Sequence, residues 1–133
     1  MREQVSHWWT SGGLLIAAER ARQIEAEHFD AHRDDAYSRS EMAWAAVCYA
    51  APESIYRLDD HRVDAATPRF DFRDPWPDDW LRRRDKRRVR NAPADHGFSP
   101  LEWRIRELVM AGALIAAEID RLQRLAASGR PVR

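Results

Sequence analysis

Ser99-Pro100-Leu101-Glu102-Trp103-Arg104-Ile105-Arg106-Glu107-Leu108-Val109-Met110-Ala111-Gly112-Ala113 opens the most regular segment of the chain. A serine at the cap, a proline at the first helical position and a glutamate at the third are the start signals of a helix. The periodic pattern runs to about Ala127, where Gly129 and Pro131 end it. Leu101, Ile105, Leu108, Gly112, Ile115, Ile119, Leu122 and Ala126 step by four and three in strict alternation. That is a heptad seam about 40 Å long at 1.5 Å per residue. Ala111-Gly112-Ala113 and Ala116-Ala117 remove side-chain bulk at its middle, so another helix can approach closely. The seam serves either an intramolecular bundle or an oligomer contact. The helix is much longer than any other in the chain, and the excess seam points to a homo-oligomer through this C-terminal helix.

Upstream lie nearly fifty residues, about 52 to 99, with Pro52, Pro68, Pro75, Pro77 and Pro93. Structureless loops of that length are uncommon inside compact domains unless they have a job. Within them, Asp78-Asp79-Trp80-Leu81 followed by Arg82 to Arg88 fits a short helix with an acidic start and a basic end. Before the insertion, a second helix is expected from about Arg39 to Ala51 and is stopped by Pro52. Ser38-Arg39-Ser40-Glu41 has the capping-box form. Met42, Ala45, Ala46 and Tyr49 mark one stripe, while Trp44, Val47, Cys48 and Ala50 leave little polar face, as in a central, buried helix. A first helix is expected from about Gly13 to His28, capped by Thr10 or Ser11. Its apolar stripe of Leu14, Ala17, Ala18, Ala21 and Ile24 is expected to pack. The fold class is therefore all-α: one domain over 1–133, a small bundle with one long C-terminal helix and an irregular Pro/Trp/Arg-rich insertion.

The 133 residues hold 22 Lys plus Arg against 22 Asp plus Glu, six tryptophans and one cysteine. The mean hydropathy is -0.69. Zero net charge argues against a general nucleic-acid coat, which needs a basic excess. No apolar run approaches the roughly 20 residues that span a bilayer, and no leader pattern opens the chain. A reducing cytoplasm is the expected location. Of the cationic residues 21 are arginine, Lys86 being the only lysine. Codon usage of a GC-rich genome accounts for much of that bias. Arginine forks also grip carboxylate or phosphate bidentately and stack on flat rings.

Three constellations carry polar chemistry. Glu27-His28-Phe29-Asp30-Ala31-His32-Arg33-Asp34-Asp35 is the densest, but it lacks a recognised metal-ligand spacing and reads more simply as an interhelical loop. Arg82 to Arg90, preceded by Trp76 and Trp80, supplies guanidinium and indole groups suited to a nucleotide pocket, or simply a solvated charged helix. Glu118 sits in the apolar Ala113 to Ile119 segment and needs a partner, Arg121 being the nearest. Cys48 inside an apolar helix is packing rather than a nucleophile. No catalytic residue, metal site or cofactor is expected.

With these residues in view, the chain resembles a family of small helical phage and prophage proteins. Their pattern begins with an E-x-x-R-Q-I helix and passes through E-G-W-T-x-E-H-D-D-x-H-x-x-G-E-L-A to an Ala-rich helix ending in Y-A. It closes on R-R-x-L-V-K-A-G-A-L-I-x-A-E-I-x-R-L. The matching stretches are Glu19 to Ile24, Glu27 to Ala51 and Arg106 to Leu122, 48 of the 133 residues. His28, Arg33, Tyr37 and Ser40 stand where the pattern has Gly, His, His and Gly, and Met110 replaces its Lys. Loss of both pattern histidines argues against a metal mechanism. The resemblance implies a phage-type origin and a helical fold. It also implies a counter-defence role, exerted by binding a host protein or by sequestering a nucleotide-derived immune signal.

The reading favoured is capture of a small nucleotide-type ligand without cleavage. Arg22, Arg33 and Arg106 would meet phosphate, and Trp80 or Tyr37 would stack on the base. Asp34, Asp35 and Glu41 would accept hydrogen bonds, with Glu118 as a further ligand-side carboxylate. Two alternatives stand beside it. One is an all-α magnesium-dependent nucleoside triphosphate pyrophosphohydrolase, although Glu19, Glu41 and Glu118 lack that superfamily's paired carboxylates at plus three. The other is a host-protein inhibitor that uses the Trp/Pro/Arg segment as its contact surface.

Overall fold

The structure is a computed structural model, and it describes residues 11–28, 30–60, 70–78, 80, 85, 87 and 97–129. Its elements in chain order are α1 (Ser11–Glu27), α2 (Ala31–Asp35), α3 (Glu41–Ala50), β1 (Arg57–Asp60), β2 (Phe70–Arg73) and α4 (Pro100–Ala127). No helix among the described residues is long and apolar enough to cross a membrane.

α4 starts where its sequence signals place it. Ser99 Oγ accepts the Glu102 amide N–H at 3.1 Å, and Glu102 Oε1 accepts the Ser99 N–H at 3.0 Å. Two of the orphan donors at the helix start are thereby satisfied reciprocally. One face, with Trp103, Met110, Ala111, Leu114 and Ala117, is buried. Against it lie Met42, Ala45, Ala46, Cys48 and Tyr49 of α3, also buried. The alanines on both helices let the backbones approach closely. Arg104 locks the pair by donating to the carbonyls of Tyr49 (2.9 Å), Ala50 and Ala51 (3.1 Å), the unsatisfied C-terminal acceptors of α3.

α3 begins differently from expectation. Ser40, not Ser38, is its cap, in a left-handed conformation (φ 62°) and with no side-chain capping bond. Glu41, now the first helical residue, turns back to accept the Arg39 amide at 2.7 Å, a local bond that is not the expected capping box. Of the residues read as central in α3, Trp44 is half-buried and Val47 exposed.

Two apolar stripes face outward, contrary to the expected packing of the first helix. Leu14, Ala17, Ala18, Ala21 and Ile24 of α1 are exposed, and the buried residue of that helix is Gln23. On α4, Leu101, Ile105, Leu108, Ile115 and Ile119 are 44–71% exposed. The heptad seam thus lies opposite the core face. The exception is its centre, where Ile16 of α1 covers Gly112 so closely that any Cβ there would overlap it. The small-residue window of α4 is therefore used within the chain, by α1.

The insertion is not wholly irregular, and the all-α expectation is corrected to a mostly helical fold with a small hairpin. β1 and β2 pair antiparallel, Arg57 opposite Arg73 and Leu58 opposite Phe72. Neither strand holds a β-branched residue, and β1 (Arg-Leu-Asp-Asp) has no aromatic one, so only the Phe70 and Phe72 alternation in β2 carries a strand signal. Beyond β2, Trp76 and Trp80 fold into the core. Trp76 packs edge-on against both Tyr49 (5.7 Å) and Trp80 (5.5 Å), and Tyr37 lies 5.2 Å from Trp80. Such ring pairs add about 0.5–1.5 kcal/mol each beyond burial. Most of the helix expected at 78–88 lies outside the described residues. The described Asp85 and Arg87 are buried and non-helical.

Candidate functional site

α1 brings Glu19, Arg22, Gln23 and Glu27 to one side of a cavity whose other walls are Arg33, Tyr49, Trp76, Trp80, Met110 and Leu114. These residues come from five separate stretches of chain. The cavity has an interior volume of about 60 Å³. That is room for a few water molecules at about 10–15 Å³ each, not for a nucleobase. Beside it, a hollow of about 250 Å³ between α1 and α4 shares Glu19, Arg22 and Met110 and adds Leu15, Ala18, Ile105, Arg106 and Val109. The two adjoin through Glu19, Arg22 and Met110, the small cavity forming the narrow inner end of a cleft and the larger hollow its apolar mouth.

Three buried polar atoms around the inner end have no hydrogen-bond partner among the described residues: Gln23 Oε1 and the indole N–H groups of Trp76 and Trp80. Each such group costs about 1–3 kcal/mol if it stays unmet. Two donors and one acceptor, held by side chains at most 7% exposed, are hydrogen-bonding capacity that no described residue uses.

The charges at the inner end balance. Arg22 Nε and Nη2 donate to the two oxygens of Glu19 at 2.8 Å, and Nη2 also donates to Glu27 at 2.7 Å. Burial alone would raise the Glu19 pKa. The hydrogen bond and charge of Arg22 oppose it and, with Gln23 and the charge of Arg106, hold this carboxyl below its usual range. The bond to Glu19 raises the Arg22 pKa in turn. Arg33 Nη1 donates to Asp34 Oδ1 at 3.0 Å while its guanidinium lies over the rings of Tyr37 (4.9 Å) and Trp80 (5.7 Å). Arg106 differs from both. It lies over Phe98 and Trp103, at 5.1 and 5.8 Å, and no described carboxylate comes within ion-pair distance of it. Arg106 is thus an arginine at the mouth of the cleft that forms no contact ion pair with a described carboxylate, although its charge is felt at Glu19.

The sequence-read site residues divide into two groups. Arg22, Arg33, Trp80 and Arg106 line the cleft, and Tyr37 buttresses it through Trp80. The rest are held elsewhere. Asp34 is fully buried, accepting from Arg20 (3.2 Å) and Arg33. Burial pushes its carboxyl up from the usual value despite both arginines. Asp35 accepts two bonds from Arg124. Glu41 accepts the Arg39 amide, and Glu118 makes a two-pronged pair with Arg121 at 2.7 and 3.0 Å. None of these four carboxylates lines the cleft: Asp34 and Asp35 tie α2 to α1 and α4, while Glu41 and Glu118 are held by local partners.

One assigned role needs correction. Trp80 does not offer a face for stacking on a base, since it is 7% exposed and its ring is engaged by Tyr37, Trp76 and Arg33. Only its N–H remains available. In the Trp/Pro/Arg segment, Pro75, Trp76, Pro77, Trp80, Asp85 and Arg87 are buried, whereas Phe70, Asp71, Phe72 and Asp78 are exposed. Arg87 is held by Asp85 and Asp74 at 2.6–3.2 Å, which raises its pKa against the opposing effect of burial. Arg82 to Arg84 and Arg88 to Arg90 lie outside the described residues.

Gln23 was missed by sequence reasoning. It stands among the polar residues of α1, and nothing in the local pattern marks that face as the inward one. Among the described residues no three His, Cys, Asp or Glu side chains gather around a common point suited to a metal ion. No protein-family model, curated protein or solved structure matches the chain.

Proposed function

We propose that this chain is a binding protein that captures a small nucleotide-type ligand in the cleft between α1 and α4 and does not cleave it. The observation that carries the reading is the coincidence, in one cleft, of buried hydrogen-bonding groups that no described residue meets at the inner end with an arginine at the mouth that forms no contact ion pair with a described carboxylate. Ligand sites are largely apolar, with a few convergent polar groups, and this cleft has that composition. A flat heterocycle lies against Leu15, Ile105 and Val109, its polar edge facing Gln23 and Trp80, and its phosphate meets Arg106 and the outer side of Arg22. Each cleft carboxylate is already engaged by an arginine, which favours binding over magnesium-assisted hydrolysis. The resemblance to phage proteins makes a nucleotide-derived immune signal of the host the ligand class in view, to be sequestered in the host cytoplasm. The exposed seam of α4 supports self-association as part of the same reading.

Titration calorimetry with adenosine and guanosine monophosphates, their triphosphates and cyclic dinucleotides tests it. At least one class should give saturable heat, and Arg106→Ala should weaken that binding about tenfold or more while leaving the melting temperature unchanged. No heat with any of them refutes the proposal, as does release of pyrophosphate from a bound triphosphate.

A further inference from the structure

Gln23, Trp76 and Trp80 line the inner end of the cleft, on side chains at most 7% exposed. Each indole supplies one N–H and Gln23 one carbonyl oxygen, and none of these atoms is met by a described residue. An indole nitrogen only donates. The Gln23 amide is oriented by its neighbour: Nε2 donates to Glu19 Oε2 at 3.1 Å, and Arg22 holds that carboxyl ionised through two bonds at 2.8 Å. A carboxylate only accepts, so the amide nitrogen belongs on the Glu19 side and the oxygen is the end left over. Turning the amide round would set its oxygen against the Glu19 charge. The inner end is thereby fixed as two donors and one acceptor. The donors are also held in place beforehand, since Trp76 packs edge-on against Tyr49 and Trp80, and Trp80 against Tyr37.

We infer that the inner end reads the lactam edge of a ligand ring, a carbonyl oxygen beside a ring N–H, and so selects keto bases (hypoxanthine, guanine, uracil) over the amino bases adenine and cytosine. A carbonyl oxygen has two lone pairs and takes both indole N–H groups, while the adjacent ring N–H meets Gln23 Oε1. The same edge of adenine or cytosine reverses both groups. An amine stands where the oxygen was, facing the indole donors, and the ring nitrogen turns a lone pair toward the Gln23 oxygen. All three protein atoms then stay unmet, which is the situation in which a buried polar site rejects a close analogue most strongly. Size agrees with this division. The cavity of about 60 Å³ admits the few atoms of such an edge, and the apolar hollow of about 250 Å³ beside it takes the rest of the ring.

The inference rests on the cleft being the nucleotide site, and the test separates the two. Titration calorimetry of the full chain compares inosine with adenosine monophosphate, and uridine with cytidine monophosphate, pairs that differ only at this edge. In at least one pair the keto member should bind at least about tenfold tighter. A preference confined to the first pair marks a purine ligand, and one confined to the second a pyrimidine. The N-methylated form of the preferred nucleotide (1-methylinosine or 3-methyluridine monophosphate) keeps the oxygen but lacks the N–H, and it should lose that advantage. Gln23→Leu, with the helical circular dichroism of the wild type, should bind the methylated and unmethylated forms equally. A folded variant that still distinguishes them overturns the role of Gln23. Amino members that bind wild type as tightly as keto members overturn the lactam assignment whatever the variant does, leave ordered water as the partner of the three atoms, and keep the proposed function standing. No heat with any nucleotide overturns the proposed function and the assignment together.

Discussion

Substitution of Gly112 by alanine isolates the contact on which the placement of α1 depends. A Cβ at this position would stand 2.5 Å from Ile16 Cδ1, 2.8 Å from Cγ1 and 3.2 Å from Cγ2. Ordinary carbon contacts fall near 3.5–4.0 Å, so Ile16 has to move. Replacing glycine by alanine inside a helix contributes about 0.8–1.0 kcal/mol of stability through backbone entropy. Overpacking costs about 1–3 kcal/mol. Ile16 is half-buried and its outer methyl can turn partly aside. Gly112→Ala should therefore range from neutral to about 2 kcal/mol destabilising. Ile16→Ala removes the obstacle at a cost of about 1–2 kcal/mol for a half-buried isoleucine. In that background Gly112→Ala should show its helix-forming gain alone and stabilise by about 1 kcal/mol. The two substitutions are then coupled by about 1–3 kcal/mol. Urea denaturation followed by circular dichroism, with linear extrapolation for all four proteins, measures the cycle. If Gly112→Ala alone stabilises by the full helical increment, or if the two changes add within about 0.5 kcal/mol, Ile16 does not lie on Gly112 and the seating of α1 is wrong.

Removing Glu118 by Glu118→Ala leaves Arg121 buried without its partner and should cost about 3 kcal/mol in denaturant. Replacing both residues with apolar ones of similar size should restore most of that loss, and a double variant as unstable as the single would refute the pairing argument. Ser99→Ala should cost about 1 kcal/mol by undoing the capping box, read as a lowered melting temperature. Acid stability follows from Glu19, whose folded carboxyl lies below its usual 4.5. On acidification the unfolded chain takes up this proton first, so the group's contribution is complete above about pH 4.5 and is lost as pH falls through the lower folded value. Asp34 acts in the opposite sense, because its folded pKa is raised above 3.8 by burial, so it subtracts stability as pH rises through that window. Glu19→Gln should accordingly flatten the acid fall in stability below pH 4.5, and an unaltered fall would show that Glu19 does not carry it.

α4 was legible in the sequence because every signal for it is local. A cap, a proline, a glutamate and a sustained repeat all act within one or two helical turns of the residues they describe. The direction in which its stripe faces was not legible, since a 3.5-residue apolar repeat is the same whether it meets the chain's own core or another molecule. α1 shows the same limit in sharper form. Its alanine and leucine stripe is the face that hydrophobic patterning assigns to the interior, yet Glu19, Arg20 and Gln23 occupy that side. Arg20 reaches the fully buried Asp34 and Arg22 closes on Glu19, so each inward polar group of this face except the Gln23 carbonyl is met by a charge or hydrogen bond that no single segment reveals. The cleft inherits this logic. Arg22, Arg33 and Arg106 could be chosen from chemistry alone, but only the fold distinguishes an arginine already neutralised by two glutamates from one lying over Phe98 and Trp103 without a contact ion pair to a described carboxylate. Trp80 marks the other boundary of what composition can say. An indole beside an arginine tract has the chemistry of a stacking platform, and the same chemistry serves equally well to close a hydrophobic core. Burial decides between these roles, and burial follows from segments that meet only after the whole chain has folded.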